Sequence, residues 1–214
     1  MRLFLEVRTI IKRSAFFLFI LIYILTWNNI YAADNNFDWH TLQELSQQRL
    51  AENPEDILAN FQLSISMANL GQIEEAYNHF NKISDQISRE EFNKVMKPHL
   101  KLLETNQNNL LLLNYAAFSA SINKDYLESI SYFQQILKLD QQNIWIRNYL
   151  AATYIELEDY EQAVKVLQET IKIKDNKYSH LLLGIINYKR GDILKAIVEL
   201  VRSGDLINKF LIRE

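Results

Sequence analysis

From Asp38 onward the apolar residues recur at helical spacing, and no stretch makes a convincing strand of period two. Leu63, Met67 and Leu70 fall on one helix face, Ala116, Ala117 and Ala120 on another, and Leu150, Ala151, Tyr154 and Leu157 on a third. A short break and a second helix follow each of them. The breaks read Leu70-Gly71-Gln72-Ile73, Asn123-Lys124-Asp125-Tyr126, Leu157-Glu158-Asp159-Tyr160 and Arg190-Gly191-Asp192-Ile193. A Gly or polar residue stops the first helix, and Asp or Gln is placed to cap the second.

Three residues past each closing Tyr or Ile stands a small residue: Ala76, Ser129, Ala163 and Ala196. From Ser129 to Ala163 is 34 residues and from Ala163 to Ala196 is 33, a period that points to stacked helix pairs. The step from Ala76 to Ser129 is 53, which leaves room for one extra helix and not for a whole extra unit. Ser88 and Glu91 predict a capping box at the start of that helix, with Phe92, Val95, Met96 and Leu103 as its apolar face. Pro98 is expected to kink it or to begin a new helix. Two readings of the insertion stand open: a degenerate repeat that lost its first helix, or a hinge dividing two arms.

On these residues the chain resembles the tetratricopeptide repeat family. The small pairs are Ala116-Ala117, Leu150-Ala151 and Leu183-Gly184; further matches are Tyr154, the turn aromatics Tyr126 and Tyr160, and Phe80, Phe133, Leu167 and Leu200 beyond the small residues. Asn60, Leu113, Arg147 and His180 stand where the family often has Trp, and the closing Pro occurs only as Asn53-Pro54. The resemblance implies an all-α superhelical solenoid. Its units run near 57–87, 110–143, 144–176 and 177–204, with an extra helix at 88–105, within a repeat region of 57–214. A capping helix at 33–56 covers one end, and residues 205–214, with Leu206, Ile207, Phe210 and Leu211, cap the other.

The segment ahead of the repeats has a different pattern. Arg2, Arg8, Lys12 and Arg13 precede an uninterrupted apolar run from Ala15 to Leu25, and small residues Ala32 and Ala33 lead into Asp34-Asn35-Asn36. That order fits a secretory signal peptide over residues 1–32, cleaved after Ala32. The alternative is an uncleaved anchor through residues 15–31, short of the roughly 20 apolar residues that span a bilayer. Both place everything after Asp34 on the extracytoplasmic side. Contact with a membrane is expected only through residues 15–31, and only if they are retained.

Composition narrows the chemistry. The 214 residues carry 23 basic and 26 acidic groups, net −3, which gives no electrostatic basis for nucleic-acid binding. The absence of Cys removes thiolate nucleophiles, disulfides and thiolate zinc sites. Gly71, Gly184, Gly191 and Gly204 are too widely spaced for a phosphate loop. His40, His79, His99 and His180 have no second imidazole one helical turn away. The carboxylates of Glu156, Glu158, Asp159 and Glu161 surround an exposed turn, where nothing desolvates them. No catalytic residue, cofactor or metal is therefore assigned.

Stacked helix pairs present a concave side lined by first helices, and in the resembled family this groove is the usual seat of a peptide or partner helix. The resemblance puts Phe61, Asn114, Phe118, Trp145, Asn148, Tyr178 and Tyr188 there, with Ile65, Ala152, Leu181 and Ile185 beside them. Asn114 and Asn148 either hold a peptide backbone or tether neighbouring helices. A family subclass that grips a C-terminal carboxylate uses basic groove residues, and Phe61, Asn114, Trp145 and Tyr149 are not basic. The resulting expectation is an exported, non-enzymatic interaction module for a neutral or apolar peptide or partner protein. Its rival is a membrane-anchored scaffold subunit of an envelope assembly.

Overall fold

The computed structural model describes residues 37–207. Among them are ten helices and no strand: α1 (Trp39–Glu52), α2 (Ile57–Asn69), α3 (Ile73–Gln86), α4 (Arg89–Leu102), α5 (Leu110–Ile122), α6 (Tyr126–Leu139), α7 (Ile144–Glu156), α8 (Tyr160–Ile173), α9 (Lys177–Lys189) and α10 (Ile193–Arg202). The reading of residues 1–32, that of 33–36 within the N-terminal cap and that of 208–214 within the C-terminal cap lie outside the described residues. Among the described residues no helix is long and apolar enough to cross a membrane.

Four helix pairs, α2–α3, α5–α6, α7–α8 and α9–α10, stack as an all-α solenoid. Their turns share one backbone solution. In the α2–α3 turn, Gly71 N–H donates to the Ala68 carbonyl and Gln72 N–H to that of Met67. Lys124 and Asp125, Glu158 and Asp159, and Gly191 and Asp192 repeat this pair of bonds in the other three turns. It is the double closure that satisfies the last carbonyls of a helix, and it demands a left-handed residue at the bend. Gly71 (φ 79°) and Gly191 (φ 80°) adopt it without steric cost, whereas Lys124 (φ 63°) and Glu158 (φ 58°) adopt it with a β-carbon in place.

Capping differs from the expectation. Of the four residues placed to cap second helices, Asp159 alone accepts an amide with its side chain, from Gln162; Gln72, Asp125 and Asp192 do not. The backbone closure organises those turns instead. Side-chain caps begin the first helices: Asp56 accepts from Ala59, Asn109 from Leu112, Asn143 from Trp145 and Ile146, and Asn176 from Ser179. Each satisfies amides that a helix start leaves orphaned.

The repeat's small residues lie in the interior. Ala76, Ser129, Ala163 and Ala196 are all buried. Gly184 lets α9 approach α10 so closely that a β-carbon would lie 2.6 Å from Leu200 Cδ2. In the same unit the buried His180 is clamped between Glu199 of α10 (2.6 Å from Nδ1) and Asp175 (2.7 Å from Nε2).

The insertion is the single helix α4, opened by the capping box of Ser88 and Glu91. It continues through Pro98 without starting anew. The Lys94 carbonyl that the Pro98 ring deprives of its helix partner belongs to an exposed stretch, where water can replace the bond. Phe92 and Met96 are buried, and α4 packs on both α2 and α5. Contacts nevertheless run past it. Asn69 of α2 donates to Asn114 of α5 at 2.9 Å, and Asn143, at the head of α7, donates to Asn69 at 3.2 Å. Bonds that cross the insertion tie together the arms that a hinge would separate.

Candidate partner-binding face

The first two units close on themselves. Helix α2 is surrounded by α1, α3, α4, α5 and α7, and every residue from Leu58 to Asn69 is buried. Helix α5 is buried from Leu110 to Ala120. A helix apolar around its whole circumference has no face left for water, and Leu110-Leu111-Leu112-Leu113 is such a run.

Four of the residues expected in the groove, Phe61, Asn114, Phe118 and Asn148, are buried within the chain. Phe61 is enclosed by Phe80, Phe92 and Tyr115, at ring-centroid distances of 6.2, 5.1 and 5.9 Å. Phe118 stacks on Phe80 at 4.9 Å and meets Phe133 and Tyr149 edge-on at 5.2 and 4.9 Å. These rings join three units through one aromatic core, in which each pair contributes about 0.5–1.5 kcal/mol beyond its burial. Asn114 donates to the Leu110 carbonyl (2.8 Å) while accepting from Asn69, and it is buried. Asn148, also buried, donates to Asn176 (3.1 Å) and accepts from Ser179 Oγ (2.7 Å). Both asparagines are therefore tethers between helices, their side-chain bonds made within the chain.

Trp145, Tyr178 and Tyr188 have a different setting. Trp145 is partly exposed and lies against the α2–α3 turn, where a β-carbon on Gly71 would fall 2.4 Å from the indole. Tyr178 meets Trp145 edge-on at 6.0 Å and is also partly exposed. From Tyr178 the positions Leu181, Ile185 and Tyr188 follow along one side of α9, opposite the side that buries Leu183 and Ile186. Leu181 and Ile185 are partly exposed, and Tyr188 is 67% exposed. The result is a ribbon of five large apolar and aromatic side chains with access to solvent.

Burial, followed by the carboxylates of Glu74, Glu75 and Asp205, pushes the Tyr178 hydroxyl up to about 12. The carboxylates of the first turn of α3 thus bear on this end of the ribbon, which nothing in the sequence spacing announced. Lys177 offsets part of that charge, pairing with Asp205 at 3.1 Å while its ammonium stands 5.7 Å from the Tyr178 ring centre. The neighbouring Tyr149 hydroxyl is buried with no hydrogen-bond partner, and desolvation, then Tyr178, raises its ionisation well above the usual range. Among the described residues no three His, Asp or Glu side chains gather as a metal site.

Residues 122–186, from the end of α5 through most of α9, match the family model for the tetratricopeptide repeat. No curated protein matches the chain in sequence. Among solved structures, MamA from position 41 to its end, from Desulfovibrio magneticus RS-1, is similar with 16% identity and a TM-score of 0.50, over 82% of this chain and 98% of that one. The MamA RS-1 ArsTM double mutant is similar with 15% identity and a TM-score of 0.46, over 78% and 84% of the two chains. The first likeness extends to the fold: this protein is a helical-repeat solenoid, with a tetratricopeptide-type stretch at its centre.

Proposed function

We propose that the protein is a non-enzymatic interaction module that seats an apolar peptide or helix of a partner protein on the ribbon formed by Trp145, Tyr178, Leu181, Ile185 and Tyr188. The observation that carries this reading is the contrast along the solenoid. First helices α2 and α5 are closed by their own neighbours, while α9 keeps a continuous aromatic and aliphatic face open. Trp and Tyr dominate interface energetics because they bury a large rigid surface while ordering few torsions. The carboxylates bearing on Tyr178, Glu74 and Glu75 above all, favour a ligand that is neutral or basic at that end. The match to a repeat family built for interaction supports the same reading.

The basic and apolar pattern of residues 1–32 supports an extracytoplasmic location, with the partner met there. The mass of the mature N-terminus separates a cleaved signal from a retained anchor; retention would favour the scaffold form of the same interaction role. Binding itself is tested by replacing Ile185 with Asp. Capture of the native partner from the host envelope is expected to fall about tenfold or more, with helical content unchanged. Undiminished capture by the Ile185→Asp chain would remove the ribbon as the site.

A further inference from the structure

The outer side of α10 departs from the pattern set by its counterpart in the preceding unit. With Ala196 aligned on Ala163, the exposed α8 positions Glu161, Lys165 and Gln168 correspond to Leu194, Val198 and Val201. The α8 positions Tyr160 and Val164, which pack against the core shared with α9, correspond to Ile193 and Ile197. All five α10 residues are exposed, Leu194 at 81% and Val201 at 70%. Among the described residues, one side of this ten-residue helix is thus apolar and uncovered, including positions that are polar and solvated one unit earlier.

We propose that this stripe is where two copies of the chain associate, α10 against α10 of a second copy, antiparallel about a two-fold axis near Ile197 and Val198. Side chains of this size and exposure offer on the order of 500 Å² per copy, so two stripes reach the roughly 1,000 Å² that a specific interface requires. Four of the five residues pair under that axis: Leu194 of one copy falls opposite Val201 of the other, large against small, and Ile197 opposite Val198, while Ile193 comes level with the aliphatic stem of Arg202. The flanking charges do not oppose the approach. Lys195 is paired with Asp192 at 3.3 Å and Arg202 with Glu199 at 3.1 Å, each within its own helix. The inference is independent of the partner ribbon on α9.

Because the chain contains no Cys, single substitutions report proximity directly. Val198→Cys in the detergent-solubilised full chain, treated with a short bismaleimide, is expected to give a covalent dimer at least about tenfold more efficiently than Lys165→Cys at the aligned α8 position. Adding Leu194→Glu and Val201→Glu to Val198→Cys is expected to abolish the adduct while circular dichroism stays unchanged. Equal cross-linking from both cysteines would overturn the proposal. So would a dimer that survives the two glutamates, or a Val198→Cys adduct to a different protein in place of the dimer.

Discussion

Gly71 lies against Trp145 with no room for a larger residue: a β-carbon there would lie 2.4 Å from both Cε2 and Cζ2 of the indole. The glycine is also the left-handed residue of the α2–α3 turn, with φ 79°. One position thus meets two demands, the backbone bend that ends α2 and the close approach of the first unit to the third. Gly71→Ala violates both and is expected to cost about 1–3 kcal/mol in denaturant unfolding. The cost should fall sharply when Trp145 is also replaced by Ala, since the clash is then gone and only the strained φ remains. Additive effects in that double-mutant cycle would contradict the contact.

The unpartnered hydroxyl of Tyr149 makes an unusual prediction for a buried polar group. Tyr149→Phe removes an unsatisfied donor and keeps the ring contacts to Phe118 and Phe133. Stability is expected to stay level or rise by about 1 kcal/mol. A loss of that size in chemical denaturation would show that the hydroxyl has a partner in solution.

Two of the four repeat turns carry a β-carbon at the left-handed position. Glu158→Gly relieves this at φ 58° in the α7–α8 turn and is expected to stabilise by about 0.5–1 kcal/mol. Lys124→Gly should act alike in the α5–α6 turn. The control is Gly191→Ala, which meets no neighbouring atom within 4 Å and is expected to destabilise through φ alone.

Acid sensitivity follows from two partly buried histidines. Burial, aided by Lys82 for His79 and by Arg49 for His99, lowers both below the ordinary histidine range. The folded chain therefore binds these protons less readily than the unfolded chain. Their contribution is whole above the unfolded value of about 6.5 and declines as pH falls through that value toward the depressed folded ones. Unfolding free energy should drop between pH 7 and pH 5. The His79→Gln, His99→Gln double variant should drop less, and equal slopes for the two chains would contradict the assignment. Asp38, lowered first by the Thr41 hydroxyl, and Glu91, lowered first by the Ser88 hydroxyl, each with backbone amides adding to it, lose their contribution only below about pH 4.

The repeat was legible because its spacing is imposed by packing. Ala76, Ser129, Ala163 and Ala196 are small and buried, and in a densely packed interior the interval between such positions marks the unit. The capping box of Ser88 and Glu91 was equally plain, being a local device of four residues. Which residues face a partner was less legible. Family register alone puts Phe61, Asn114, Phe118 and Asn148 toward the groove, but it does not say that α4 and α7 come to lie against α2. The all-round apolar run of α5 carried that information for Asn114 and Phe118, whereas α2 buries Asn60, Gln62, Ser64, Ser66 and Asn69 as well, so its pattern did not announce its enclosure. The uncovered stripe on α10 was visible too, once Leu194, Val198 and Val201 are set against Glu161, Lys165 and Gln168.

The open ribbon of α9 is tested most directly by photo-crosslinking in the native host, with a probe at Tyr188 compared with one at Lys165 on the outer side of α8. Both positions are exposed, so neither probe disturbs the core. The account predicts an adduct to one protein from Tyr188, lost when Ile185 is also replaced by Asp, and none from Lys165. Adducts from Lys165 alone, or an adduct from Tyr188 indifferent to Ile185→Asp, would contradict it.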